Sequence, residues 1–539
     1  MSNFTRANAW NHGGDFNNPD LFWYALGVRA MQARTLDDKS SWWFFAAIHN
    51  EFLNDPDNGP LMWGNLPSPP HVPTGPVPAP AIADLYWNQC QHGSWFFLPW
   101  HRGFLLALEA RIRAEVNALH GPANWSLPYW NYLGPDTQYA IPPAFELTQM
   151  PDGSPNPLYV LARYGPDEPV AGQPRRVYVG TATSQPAGLA NGDALKNDLF
   201  TGSDLNTDPP GFGGPPTGFL SGGRNGGNLE NNPHGHVHLD VGGHSTMGLM
   251  SDPRTSALDP IFYVHHANID RVWEVWNRTG ANANPVDPAW LNGPTLAGDR
   301  RFIMPMPDGS DLRYTPREMG RLSQMNYTYD VLRPLPVAAS AASPLAVPMA
   351  AALTERLTRL GIAPPSFEAL TVTTGTETEL VGATEAPLML TAAGGTASVR
   401  LDAEVLRKVS ASLAAPVSPG KVIAPDRLYL HLDGIRGSGG TAILGVYIDA
   451  PGEIDAPGAA GLFAGSVALF GLHAASRQDG SHGGEGLHFI LGITKIFDRL
   501  HLAGALGGET LNVRLAPVRP LPERTKISVG RISLYREGV

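Results

Sequence analysis

The chain has 539 residues, of which 38 are lysine or arginine and 49 are aspartate or glutamate, so its formal net charge is −11. A protein with this charge lacks the cationic surface that nucleic-acid backbones attract, so no nucleic-acid partner is expected. Apolar residues make up 42% of the chain, and 60 glycines and 51 prolines interrupt it often. This composition excludes disordered, collagen-like and coiled-coil proteins and indicates a large core with many irregular loops.

The cysteine count and the N-terminus exclude further classes of protein. Cys90 is the single cysteine, which excludes intramolecular disulfides and cysteine-cluster metal sites. The N-terminus has no basic segment followed by an apolar run, and nowhere do 18 apolar residues follow one another. We therefore expect a cytoplasmic protein that does not enter a membrane, and the sequence leaves a homo-oligomer open.

Composition changes along the chain in a way that predicts two domains. All 13 tryptophans lie between Trp10 and Trp290. Residues 334–352 are rich in Ala and Pro, carry no charge and are typical of a linker. We expect a mainly α domain over residues 1–333 and an all-β sandwich or barrel over 353–539, where six short apolar segments alternate with Gly, Pro and Asp. The predicted fold class is α+β multidomain.

Apolar residues recur with helical periodicity at four places in the first domain where histidines also occur, and these four predicted helices matter for function. Ser40 or Ser41 can cap the first of these helices, and Pro99 suits the start of the second. The four predicted segments are Asp37–Leu53, Pro99–Leu119, a short helix that follows Asn232, and Pro260–Arg278.

Two histidine pairs lie on the third and fourth helices. His234 and His238 are four residues apart, so a helix stacks their imidazoles on one side, where two side chains can share a metal ion. His265 and His266 are adjacent and differ by about 100° around the helix, so only one of them can face the same ion.

The choice between the adjacent histidines follows from the helix face. His266 shares a face with Phe262 and Asp270, so we predict His266 as the third ligand and His265 as a residue that packs behind the ligands. Asp270 can accept a ring proton from a metal-bound imidazole or tie its helix to Arg102. Phe262 is expected to pack against a ligand ring.

A second set of three histidines precedes these. His49 lies on the inner face of the first helix, His92 in a loop, and His101 in the first turn of the second helix. Two sets of three imidazoles, with no cysteine cluster and no carboxylate ligand, favour copper, since nitrogen-rich sites bind it most strongly among the divalent first-row metals. Zinc could occupy the same ligands if copper were scarce.

Extended motifs around these histidines resemble a known family. HGSWFFLPWHRGFLLALE (92–109) and DPIFYVHHANID (259–270) resemble the copper A and copper B signatures of the tyrosinase and catechol oxidase family, the type-3 copper proteins. ENNPHGHVH (230–238) resembles the start of the copper B site in the plant polyphenol oxidase branch. The resemblance covers about residues 40 to 280.

The resemblance implies a four-helix core that holds two copper ions and uses dioxygen as co-substrate. It implies oxidation of small phenolic substrates, o-diphenols to o-quinones, with ortho-hydroxylation of monophenols as a further activity of some members. The source of the copper is not indicated. The implied ligands are His49, His92 and His101 for copper A and His234, His238 and His266 for copper B.

Three further residues acquire roles from the resemblance. Cys90 and His92 match the Cys-x-His of fungal members, which implies a thioether between them; otherwise Cys90 is a small buried apolar residue. Glu230 matches a glutamate that orients a water near copper B in plant-like members, and it is a candidate general base through that water. Gly235 stands where strongly hydroxylating members often have Asn, so diphenol oxidation is the expected reaction, because glycine has no side-chain acceptor.

Two alternative functions stay open at this point. An o-aminophenol oxidase would use the same centre, and a haemocyanin-like oxygen carrier belongs to a different class. In similar proteins a C-terminal β domain can cover the active-site entrance, so the resemblance implies that the β domain can act as a lid and keep the enzyme latent.

Overall fold

We analysed the protein in a computed structural model. The structure describes residues 4–55, 59–167, 170, 175–181, 184, 189–202, 210–219, 226–294, 302–333, 378–414, 426–449, 462–478 and 484–538. The expected linker at 334–352 lies outside these described residues. Within them, no helix is both long enough and apolar enough to cross a bilayer.

The N-terminal part of the fold is a helical core with two small two-stranded sheets. A single-turn π-helix, Glu230–His234, leads directly into α5. The helices are α1 (Pro19–Gln32), α2 (Trp42–His49), α3 (Pro80–Tyr86), α4 (Phe97–Ala118), α5 (Gly235–Gly242), α6 (Ile261–Asn277), α7 (Pro288–Leu291) and α8 (Pro316–Met319). The strands β1 (Phe4–Arg6) and β4 (Tyr327–Tyr329) pair in parallel, and β2 (Phe302–Pro305) pairs antiparallel with β3 (Asp311–Tyr314).

The four histidine-bearing helices form, with boundaries that differ from the expected ones. The Ser41 side chain caps α2 by accepting a hydrogen bond from the amide of Phe44, but α2 ends at His49 because Asn50 is extended. α4 begins at Phe97, two residues before Pro99. Proline is tolerated there because the amides of the first helical turn have no partner within the helix.

Helix α6 lies at the centre of the core, and each of its 17 residues is buried. A helix surrounded on all sides must satisfy its charged groups internally. Asp270 therefore accepts hydrogen bonds from Arg102 on α4 at 2.5 Å, from Arg6 on β1 at 3.2 Å and from the hydroxyl of Tyr327 on β4 at 2.6 Å. This buried network fastens the β1–β4 sheet to the helical core.

The C-terminal part is a nearly closed β-barrel with three helices. Its strands follow the order β10-β9-β12-β7-β5-β13-β8-β11, and β6 also pairs with β13. The strands are β5 (Thr378–Ala383), β6 (Leu388–Met389), β7 (Gly395–Leu401), β8 (Arg427–Ser438), β9 (Ile443–Ile448), β10 (Phe463–Ala468), β11 (Leu487–Gly492), β12 (Thr510–Pro517) and β13 (Lys526–Glu537); the helices are α9 (Ala403–Ala414), α10 (Leu472–Ser476) and α11 (Thr494–Leu502).

The expected β-rich domain is confirmed, and the six apolar segments predicted as strands are β8 to β13. The three helices and strands β5 to β7 were not predicted from the sequence. The missed β7 alternates between exposed and partly buried positions and carries a single fully buried residue, Val399, so its apolar signal is weak.

The two parts have separate hydrophobic cores and meet in a small apolar contact. One core draws its buried residues from 9–329 and the other from 381–534. The third cluster joins the two parts and consists of Leu239, Ile443 and Ala468, with Leu189 and Phe470 packed against it. The C-terminal barrel therefore contacts the helical core next to α5.

The buried network around Asp270 leads to a stability prediction. Burial alone would raise the pKa of Asp270, but Arg102 and Arg6 outweigh it and hold this pKa below its ordinary value. Asp270→Asn leaves buried Arg102 without its counter-charge and leaves Arg6 with Glu109 as its remaining ion-pair partner, and we expect the free energy of unfolding to fall by about 3 kcal/mol.

Denaturant unfolding monitored by tryptophan fluorescence measures this change. Because the pKa of Asp270 is lowered in the folded state, its contribution is present above the unfolded-state pKa of about 4 and disappears as the pH falls further. The exposed carboxylate of Asp84 on α3 supplies the control Asp84→Asn. Equal losses from both substitutions would show that the network does not stabilise the fold.

Candidate metal centre

Two groups of buried side chains with metal-binding atoms lie in the helical core. Within each group the candidate ligand atoms all lie within 4.8 Å of one another. The first group is His49, Cys90, His92 and His101, and the second is His234, His238, His265 and His266. The structure thus brings all six predicted ligands into the two expected sets.

Helices of 8 to 22 residues, a π-helical turn and a loop place these histidines in the interior. His49 is the last residue of α2, His92 lies in the loop before α4, and His101 is in the first turns of α4. His234 ends the π-helical turn before α5, and His238 follows on α5 one turn later. The rings of His92 and His234, one from each group, have centroids 5.7 Å apart.

Backbone carbonyls orient the imidazoles at Nδ1. His49 Nδ1 lies 2.8 Å from the Pro253 carbonyl, and His238 Nδ1 lies 2.9 Å from the Met250 carbonyl. His101 and His234 use their own helices, with Nδ1 at 2.8 Å from Phe97 O and 3.0 Å from Glu230 O respectively. These contacts place the ring proton on Nδ1 and leave the Nε2 lone pair for a metal.

The Nε2 atoms of His49, His92, His234 and His238 are buried and have no hydrogen-bond partner among the described residues. Buried polar atoms are normally paired, so a cluster of unpaired nitrogens that face one another is the signature expected of a metal site. Burial lowers the pKa of His49, His234 and His238, and neighbouring imidazoles lower it further. The rings are therefore neutral at physiological pH, which is the form that binds metal.

A carboxylate instead of a carbonyl orients His92. Its Nδ1 lies 3.0 Å from Oε1 of Glu230, and the same oxygen accepts a hydrogen bond from the Gly93 amide at 2.9 Å. Oε2 of Glu230 is buried and has no partner among the described residues. Glu230 thus links the two halves of the centre, a contact across 138 positions that local sequence analysis did not find.

The adjacent histidines of α6 both belong to the second group. The His266 ring stacks on His101 at 4.3 Å with an interplanar angle of 10° and lies 4.2 Å from the Phe262 ring. The His265 ring lies 5.4 Å from His234 and 5.5 Å from Tyr132. Both ring nitrogens of both residues lack partners among the described residues, so the assignment of His266 as the ligand stays a prediction.

Cys90 lies in the first group, where its Sγ is 3.5 Å from Nε2 of His101. Burial raises the pKa of the Cys90 thiol, and the charge of Glu230 raises it further. Sγ lies within 4.8 Å of the ligand nitrogens of this group, including that of His92. The thioether between Cys90 and His92 stays a prediction.

Of the residues expected around the ligands, Asp270 ties α6 to Arg102, the second of its two expected roles. The Phe262 ring packs between ligands of both groups, 4.8 Å from His49 and 5.9 Å from His238. Sequence analysis missed Phe97, whose ring lies 4.5 Å from His101 and 4.8 Å from His234. Its position four residues before His101, inside the copper A motif, was the available signal.

An aromatic side chain from the barrel covers the centre. The Phe470 ring, which follows β10, stacks on His238 at 4.1 Å with an interplanar angle of 24°. It also lies 5.7 Å from His234 and 5.8 Å from His92. Sequence analysis named no residue for this position.

Comparison with known proteins decides the family. Residues 39–279 match the family described as the common central domain of tyrosinase, and residues 377–537 match a domain family of unknown function. The chain is 30% identical over 546 residues to the tyrosinase HcTyr1 of Hahella sp. (strain CCB-MM4), with 99% of each chain covered. The chain belongs to the tyrosinase family.

Other tyrosinase-family proteins share part of the sequence or the whole fold. The latent polyphenol oxidase of Prunus armeniaca is 31% identical over 219 residues, which cover 39% of this chain and 34% of that one. The structure of latent apple tyrosinase has a TM-score of 0.56 at 19% identity and covers 100% of this chain and 98% of its own. That of latent aurone synthase has a TM-score of 0.55 at 19% identity, with 99% and 89% covered. These structures show the same fold.

The donor atoms of this tyrosinase-family chain fit the dicopper centre of the family. Each group offers three or more buried imidazoles, with unpaired Nε2 atoms on His49 and His92 in the first and on His234 and His238 in the second, and nitrogen-rich sites of this kind bind copper. The protein is a copper-dependent oxidoreductase that holds two copper ions.

The two adjacent histidines on α6 allow a direct test of the ligand assignment. We expect His266→Ala to lower the bound copper from about two ions per chain to about one, because copper B loses a ligand. His265→Ala should keep about two, because His265 packs behind the ligands in the predicted assignment. Copper content after dialysis, measured by atomic emission, gives the stoichiometry, and the reverse pattern would make His265 the ligand.

Proposed function

We propose that this protein oxidises small o-diphenols to o-quinones with dioxygen as the electron acceptor. Two diphenols deliver four electrons and four protons to one dioxygen, which leaves as two waters. The copper pair supplies the electron transfer when bound. Support comes from the family of the chain and from the absence of a side chain at Gly235.

The residues around the centre supply proton handling. Oε1 of Glu230 holds His92, and Oε2 is buried and unpaired within the described residues. This second oxygen is the candidate acceptor for a phenolic proton, directly or through one water. Glu230 is therefore proposed to act on both the orientation of a copper A ligand and the deprotonation of the substrate.

Gly235 favours diphenols over monophenols. It directly follows the ligand His234, and a backbone atom alone stands where an amide side chain could hold a water with Glu230. A diphenol needs oxidation only, whereas a monophenol must also be deprotonated and hydroxylated. The alternative reaction, oxidation of o-aminophenols, is included in the substrate test below. The relatives reported above are named as oxidising enzymes, so they give no support to the other alternative, an oxygen carrier.

A substrate panel with matched variants tests this selectivity. In a Phe470→Ala background, we expect turnover of 4-methylcatechol to exceed that of tyrosine and of 2-aminophenol. Adding Gly235→Asn should raise the ratio of tyrosine turnover to 4-methylcatechol turnover at least about tenfold. Positioned proton-transfer groups accelerate reactions by ~10²–10⁴-fold, and this rise would be a part of that effect. Gly235→Ala is the control for size without an amide, and an equal rise with alanine would contradict the proposed role.

We also propose that the C-terminal domain is a lid that keeps the enzyme latent. Phe470 stacks on His238 and lies beside His92 and His234, so it occupies the space in front of ligands from both groups. A phenol needs this space for its own ring. Displacement of Phe470 is then a condition for turnover.

Truncation of the covering ring tests the lid. Phe470→Ala should raise catechol turnover by the full chain about tenfold, as expected when the accessible fraction of molecules rises from ~10% to nearly all. Phe463→Ala is the control, because Phe463 lies on the same strand β10 but packs on Tyr447 of the barrel. Steady-state rates at equal copper content give the comparison, and an unchanged rate for Phe470→Ala would contradict a lid.

A further inference from the structure

Arginines of the barrel contact acceptors of the helical core at three points of the interface. Arg477, directly after α10, forms an ion pair with Asp55. Arg519 lies 3.4 Å from Asp167 and 3.9 Å from Asp240. Arg524 donates a hydrogen bond to the Ser245 carbonyl at 2.7 Å. At each point the barrel contributes the cation and the core contributes the acceptor.

Two of these carboxylates are withdrawn from solvent. The side chain of Asp55 is 1% exposed and that of Asp240 is 3% exposed, while Arg477 and Arg519 are 17% and 19% exposed. An ion pair at such a site is screened less than a surface pair, and loss of one partner leaves a poorly hydrated charge. In the docked arrangement each of these carboxylates faces an arginine, whereas a like charge at the same contact would be poorly hydrated and repelled and would favour separation.

The charged contacts involve elements that also carry or contact Phe470. Arg477 follows Phe470 by seven residues, and between them Gly471 lies at van der Waals distance from Pro253 of the core, where an added Cβ would be 3.6 Å from the proline ring. Asp240 lies on α5, the helix of His238, on whose ring Phe470 stacks. Movement of the barrel away from the helical core, which would carry Phe470 off the copper ligands, therefore separates the Arg477 and Arg519 contacts.

One apolar cluster joins the two cores at this interface. The cluster that joins the two cores contains three buried residues and two partly buried ones. Hydrophobic burial scales with area, so a cluster of five side chains contributes little compared with either core. The charged contacts add to this apolar cluster in holding the barrel against the helical core.

We propose that Arg477 with Asp55, and Arg519 with Asp167 and Asp240, form an electrostatic latch that holds Phe470 over the copper ligands. This inference rests on the proposed lid and adds how the lid is held. The latch opens when anions at high concentration, chloride included, bind the guanidinium groups, which are 17% and 19% exposed, and compete with the carboxylates. Latency is then set by ionic contacts between the domains.

Charge reversal and charge exchange test the latch in the copper-loaded full chain. Arg254 lies near enough to be influenced by both Asp55 and Arg477, so reversal is a stronger test than removal. We expect Arg477→Glu to raise turnover of 4-methylcatechol about fivefold or more by shifting the closed and open populations. The double variant Arg477→Glu with Asp55→Lys should return turnover close to the starting value, because it restores the pair with exchanged signs.

Controls separate the latch from general effects of charge. Arg531→Glu changes an exposed arginine on β13 and should leave turnover unchanged. Arg519→Glu provides an independent second variant at the other contact. Small-angle X-ray scattering gives a readout besides activity, since Arg477→Glu should enlarge the particle and the exchanged pair should restore its size. Added sodium chloride should activate the unmodified chain and have little effect on Phe470→Ala.

The outcomes distinguish failure of the latch from failure of the lid. Activation by Phe470→Ala without activation by Arg477→Glu or Arg519→Glu would overturn the latch and keep the lid. No activation by any of these variants at equal copper content would overturn the lid, and the latch with it. Activation by Arg477→Glu that Asp55→Lys fails to reverse, in both turnover and particle size, would show that the ion pair is not the cause.

Discussion

Each imidazole of the metal centre must be neutral, fixed in orientation and free at one nitrogen before it can bind copper. Burial supplies the first condition, because a charged ring would be poorly solvated beside its neighbours. For four of the six predicted ligands, carbonyl groups supply the second by accepting the Nδ1 proton. For His101 and His234 the carbonyl comes from four residues earlier in the chain, so local helical geometry is sufficient.

Two other ligands depend on one distant loop. His238 is oriented by the Met250 carbonyl and His49 by the Pro253 carbonyl, so the segment between these residues fixes one ligand in each group. Glu230 adds a second connection, since its carboxylate orients His92 while its carbonyl orients His234. The two halves of the centre are therefore positioned together, which a dinuclear site requires if both metals are to act on one substrate.

The sequence predicted the parts of this arrangement that depend on local periodicity and on extended motifs. The spacing of His234 and His238 on a helix and the family signatures around His101 and His266 were sufficient to predict the two groups. Strands β8 to β13 were predicted because their apolar runs are bounded by turn residues. Helix ends were misplaced by several residues, since the chain leaves α2 at His49 to bring that ring inward.

The contacts that could not be predicted join residues far apart in the chain. Glu230 and His92 are 138 positions apart, and Phe470 reaches His238 from another domain. No periodicity marks such pairs, because each is fixed by the packing of whole elements. The choice between His265 and His266 has the same origin: a face of a helix can be assigned from sequence, but both rings of α6 lie within reach of the second group.

Substrate range and closure of the lid are coupled through one position. A Cβ at Gly235 would lie 3.2 Å from the Cβ of Ala468 on β10, closer than most side-chain contacts. Beside it, His236 lies 2.9 Å from the Ser466 hydroxyl, so β10 and the start of α5 are in direct contact. A side chain at position 235 would require Ala468 to give way by a few tenths of an ångström, and Phe470 lies two residues beyond Ala468. The glycine that limits monophenol hydroxylation in our proposal therefore also permits the close approach of the barrel, so a substitution at position 235 bears on both properties.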